Sequence, residues 1–206
     1  MTIRHYKKSK INGIQSKLKS DLHLMLSGFS NQKLIPVNDI LDAINKLPDT
    51  HIAGLREIKF DPNRETLLPN FITRFFHKAP KCCKGVFQQK KRSIVIYDFD
   101  SRAMFFHVLY HEIGHFVYFL TLSAQRKKDW VSNVHKTTPF VTTLSKRNAA
   151  EDFAECYALY ITEPKLLKHS PQKYDFIHQH VFNNDNDSDI ENTSLYFDSV
   201  LLDKTY

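Results

Sequence analysis

His111-Glu112-Ile113-Gly114-His115 is the stretch of this 206-residue chain whose residue types and spacing spell out a chemistry. Four residues advance an α-helix by about 400°, so the two imidazoles leave one face, about 6 Å apart along the axis. That spacing lets both bind a single tetrahedral Zn²⁺ at about 2.0–2.1 Å. Glu112, between them, reaches a water on such a metal. Zinc lowers the pKa of that water towards about 7, and a carboxylate beside it can take the proton and pass it to a leaving amine.

The surroundings sharpen this reading. Between Ala103 and Leu120 the ionisable groups other than tyrosines are His107, His111, Glu112 and His115. Burying them without partners costs several kilocalories, and a metal is the simplest explanation. His107 lies on the same stripe and reads as a core or supporting histidine. Catalytic zinc usually takes three protein ligands, so another is needed. The pattern H-E-x-x-H-x-x-G-x-x-H fails here, because Tyr118 and Thr121 stand where glycine and histidine belong. A helix starting at Asn148 offers Glu151 and Glu155, both bordering an apolar stripe of Ala150, Phe153, Ala154, Tyr157, Ala158 and Ile161. Glu151 also completes a capping box with Asn148, and Glu155 also reads as a rim carboxylate.

The elements that must position these groups follow from local patterning. Val37–Leu47 has helical spacing, with Pro48 just beyond its end. Leu55–Phe60 alternates as a strand. Gly85–Phe87 and Ser93–Tyr97 flank a polar run and read as a hairpin. Asp100 or Ser101 caps a long helix reaching about Leu122. Further helices are predicted over about Arg126–Val134, Asn148–Thr162 and Pro171–Phe182. The fold class is α+β: a small, mostly antiparallel sheet packed on the helix that carries the motif, followed by a C-terminal helical subdomain. Residues 1–20 are expected to be a basic flexible arm and 21–206 a single domain, with 183–194 too polar to bury.

Composition narrows the classes. The chain is 42% hydrophobic and 25% charged, within the globular range. Its three cysteines, two of them adjacent, do not make a secreted disulfide framework. The net charge of +7 is unevenly spread: the first twenty residues carry no acid, and the tail from Asn183 is acidic. A basic balance admits an acidic partner, but no nucleic-acid-binding pattern appears, so none is expected as partner. Lys81, Lys84, Lys90, Lys91 and Arg92 point to acidic or phosphorylated peptide segments, or to a solvated hairpin. No membrane span is expected, since the single apolar stretch carries the ionisable groups named above. The start has no apolar h-region, so the expected location is the cytoplasm, or export without a cleaved signal peptide. A monomer is expected.

Tyr110-His-Glu-Ile-Gly-His-Phe116-Val117, followed by Arg147-Asn-Ala-Ala-Glu-Asp-Phe-Ala-Glu155, resembles the zinc peptidase domain of anthrax toxin lethal factor and its relatives, including clostridial Pro-Pro endopeptidases. That gluzincin-type family pairs H-E-x-G-H with a downstream E-x-F-A-E. Pro171–Val181 is similar to its C-terminal helix, so the likeness spans roughly residues 85–182. The resemblance implies His111, His115 and Glu151 as zinc ligands, Glu112 as general base, and Glu155 as a carboxylate orienting a ligand histidine. It implies one zinc per chain and a substrate laid in extended form along a sheet edge at Gly85, Val86 and Phe87. The implied activity is a zinc metalloendopeptidase acting on an extended protein or peptide. One position departs. Seven residues before the ligand glutamate the family has a tyrosine that hydrogen-bonds the oxyanion, and here it is Leu144. Tyr157, Tyr160, His135 and Tyr174 are the candidate replacements by position. Leu144 also leaves room for a second reading, a zinc-bound but catalytically weak peptide-binding module.

Overall fold

The computed structural model describes residues 9–11, 14–16, 24–64 and 83–183. The expected disordered stretch after Asn183 therefore lies outside the described residues, as does most of the N-terminal arm. Within that arm, β1 (Ser9–Ile11) and β2 (Ile14–Ser16) pair antiparallel. The protein is α+β, and the chain divides into two compact units, 1–45 with 53–112, and 46–52 with 113–206.

In the first unit, β3 (Met25–Ser27) leads to α1 (Val37–Asn45), then β4 (Glu57–Phe60), β5 (Gly85–Gln88) and β6 (Ser93–Ile96). Among the described residues these four strands form one sheet in the order β3-β4-β6-β5. The sheet differs from the mostly antiparallel one expected. β3/β4 and β4/β6 run parallel, and only β5/β6 is antiparallel. The reason lies in the connections: β3 and β4 are joined across α1, and a crossover leaves no turn signal for local patterning to register. The β5–β6 hairpin was visible because its turn is local, closed by Lys91 N–H to Gln88 O at 3.1 Å.

β6 is buried at every position, with the apolar run Ile94–Ile96 following Ser93, as a central strand requires. α1 contributes Ile40, Leu41, Ala43 and Ile44 to the core of this unit. Its Asp39 pairs with Arg102 at the start of α2 (Arg102–Phe116). Ser101 Oγ accepts from Met104 N–H at 3.2 Å, capping that helix where the sequence placed its start. Phe105 anchors α2 among Phe29, Phe99 and Phe106, with ring centroids 5.0–6.0 Å apart.

The division between units falls inside α2, after Glu112. In the second unit α2 passes into a π turn, Val117–Thr121, then α3 (Ala124–Asp129), extended by a π segment to His135. A 3₁₀ turn at Leu144–Lys146 precedes α4 (Ala149–Thr162). α5 (Pro164–Leu167) and α6 (Pro171–Ile177) follow, the latter continued to Phe182. α4 is buried without a break from Asp152 to Ile161, so it is the central helix of this unit. Trp130 packs against Phe153 and Phe176, and its indole N–H donates to Ala149 O at 2.8 Å. His51 fastens α4 from a second side, through Tyr157 Oη at 2.9 Å and Val181 O at 3.1 Å. Among the described residues no helix is long and apolar enough to cross a membrane.

A candidate metal centre on two helices

His111 and His115 sit one turn apart on α2, which continues unbroken through both, so their spacing is that of a regular helix. Their burial differs. His111 is 7% exposed, and the His115 side chain 12%.

What brings α4 to this helix is Gly114. A Cβ there would lie 2.9 Å from Ala154 Cα and 3.2 Å from Ala154 O. Only glycine lets the two backbones approach this closely. Asn148 caps α4, its Oδ1 accepting from the N–H groups of Ala150 and Glu151 at 3.0 Å each. That is one half of the capping box read from the sequence. The Glu151 carboxylate faces α2, with Oε2 3.5 Å from His115 Nε2. Ligand atoms of His111, His115 and Glu151 all lie within 4.8 Å of one another. Two imidazole nitrogens and a carboxylate oxygen so grouped could hold a metal ion.

Glu112 is 5% exposed and belongs to the first unit, where β5 comes against it. A Cβ on Gly85 would lie 2.9 Å from Glu112 Oε1 and 2.8 Å from Val108 Cγ1. Among the described residues β5 is the outer strand of its sheet, and Val86 and Phe87, both half-buried, continue along it from this glycine. Glu155 is buried one turn beyond Glu151 on α4, and His107 is half-buried one turn before His111.

The four candidate oxyanion donors all lie in the second unit. Tyr157 is in the core, its hydroxyl on His51. Tyr160 Oη lies 2.7 Å from His178 Nδ1, and burial pushes its phenol up, with Tyr174 adding to the effect. Tyr174 stacks on His178 with ring centroids 5.7 Å apart. His135 Nδ1 lies 3.0 Å from Asp152 Oδ2. Leu144 is half-buried in the 3₁₀ turn before α4.

One arrangement was missed by sequence reasoning. Asp152 and Lys173 are both fully buried, with Lys173 Nζ 2.6 and 2.7 Å from the two carboxylate oxygens. The signal existed: Lys173 shares the apolar stripe of α6 with Phe176 and Ile177, at i, i+3 and i+4. Cys156 lies beside the pair, and burial above all, then Asp152, pushes its thiol up.

No protein-family model matches the chain, and no curated protein matches it.

Proposed function

We propose that the protein is a zinc-dependent metalloendopeptidase of the lethal factor-like kind, acting on extended peptides. The observation that carries the reading is the grouping of His111, His115 and Glu151 within 4.8 Å, with Glu112 between the two histidines on the same helix. Those three residues would hold the metal. Zinc supplies Lewis acidity, polarising a carbonyl and making water a nucleophile near neutral pH.

The chain's own groups do the rest. Glu112 takes the proton from water as its oxygen bonds to the scissile carbonyl carbon. The same carboxylate returns that proton to the amide nitrogen as the C–N bond breaks. β5 is an outer strand of the described sheet, along which an extended peptide would lie, and Gly85 keeps that strand close to Glu112. Leu144 brings no hydrogen-bond donor, which favours the second reading, a zinc-bound module that grips peptides and cleaves them weakly.

Metal analysis and turnover of a peptide library test both readings. Protein purified without chelators should carry about one zinc per chain, and less than about 0.2, unrecovered on adding zinc, would sink the metal assignment. Glu112→Gln should keep the zinc and lower kcat by about 10²–10⁴-fold. A zinc-loaded wild type that binds peptides without cleaving any leaves the binding module standing instead.

A further inference from the structure

We propose that the buried Asp152–Lys173 ion pair, with His135 on the same carboxylate, is the positioning device for Glu151, and that zinc affinity depends on it. The inference rests on the metal-site reading above.

Two segments of the second unit converge on the Asp152 carboxylate, and a third packs against its lysine partner. Lys173 of α6 places Nζ 2.6 Å from Asp152 Oδ1 and 2.7 Å from Oδ2. His135, at the end of the π segment, places Nδ1 3.0 Å from Oδ2. Phe140, in the loop that follows, lies under the same ammonium, 5.1 Å from Nζ to its ring centroid. Asp152 and Lys173 are fully buried. Burying such a pair rarely stabilises a fold more than apolar side chains of equal volume would, so stability alone does not account for it.

Direction does. Apolar contacts let a helix rotate by small steps, whereas a charged pair with two bonds of fixed length holds the helix to one azimuth. Glu151 is the preceding residue of α4. A rotation of about 20° would carry a side-chain oxygen roughly 6 Å from the helix axis through about 2 Å. Metal–ligand distances tolerate only about 0.2 Å. Other ties at this turn act differently. Trp130 holds Ala149 O at 2.8 Å, and Asn148 holds the Ala150 and Glu151 amides. They fix the backbone where the helix begins; the buried pair fixes the way its side chains face.

The test is zinc affinity of the metal-free full chain, measured by competition with a chromogenic chelator, with circular dichroism reporting the fold. Asp152→Asn and Lys173→Met should each bind zinc about 10–100-fold more weakly. The double variant Asp152→Leu/Lys173→Met replaces the pair by apolar contacts. It should melt at or above the wild-type temperature and still bind zinc about 10–100-fold more weakly, a separation that a merely structural pair would not give. Any of the three that folds and binds zinc within about threefold of wild type overturns the proposal. A wild type that binds no zinc overturns the metal reading itself, so the two failures are distinct.

Discussion

Glu151 and Asp152 are consecutive residues of α4, and their carboxylates meet opposite surroundings. Asp152 points into the helical core and is answered there by the chain's own cation, Lys173, at 2.6 Å. Glu151 points towards α2, with its side chain 24% exposed and an imidazole nitrogen 3.5 Å from Oε2. An imidazole is a ligand as well as a base, so on the reading proposed above the Glu151 carboxylate belongs to a metal donor set. A helix advances about 100° per residue, and that angle is enough to set one carboxylate on a buried lysine and its neighbour beside two imidazoles. The comparison teaches that burial and charge do not mark the site. The more buried carboxylate is the one least able to meet a ligand.

Two substitutions break the comparison most strongly. Asp152→Ala should cost the metal-free protein about 3–5 kcal/mol in denaturant unfolding, because Lys173 is left buried with its charge unanswered. Glu151→Gln should change the same quantity by no more than about 1 kcal/mol, the range of a first-turn acid on a helix dipole. Its effect should appear in zinc binding instead. Equal stability losses for the two would mean that both carboxylates are structural. A smaller effect is expected at Gly114, where the methyl of Gly114→Ala would press on the Ala154 backbone, 2.9 Å from its Cα. Overpacking of this kind costs about 1–3 kcal/mol. Zinc affinity should fall with it, since the same contact sets the approach of α4 to α2. Loss of stability with unchanged zinc affinity would show that Glu151 is placed independently of that contact.

How far the sequence was legible follows the range of the interactions. The H-E-x-x-H spacing needs only one helix, and Ser101 and Asn148 cap where their types predict. The hairpin was readable for the same reason. Choosing Glu151 over Glu155 took more. Both border one stripe, and periodicity alone left them equal; the structure places Glu151 with the two histidines and buries Glu155 one turn on. Parallel pairing of β3, β4 and β6 escaped because its partners are set by crossovers rather than turns. Lys173 escaped through bias: a lysine on an amphipathic helix is ordinarily assigned to the solvated face, although its register with Phe176 and Ile177 placed it inside.

The smallest effect, and the sharpest, is expected at Gly85. Its missing Cβ faces Glu112 Oε1 at 2.9 Å, Glu112 Cγ at 3.0 Å and Val108 Cγ1 at 2.8 Å. Unlike the Ala154 backbone at Gly114, these are side-chain atoms, and a glutamate chain can swing aside. Gly85→Ala should therefore cost about 1 kcal/mol of stability, the low end for an added methyl. None of the three proposed zinc ligands supplies one of these nearest atoms, so zinc content should stay near one per chain. What changes is where the carboxylate points. Misplacing a catalytic group by about 1 Å costs up to roughly 10²-fold, so kcat should fall about tenfold, with KM changed less. That pattern of zinc kept, fold kept and rate lost is the signature of a displaced base. If Gly85→Ala turns over peptides at the wild-type rate, Glu112 has room to work without this glycine, and the edge of β5 is not what keeps it in place.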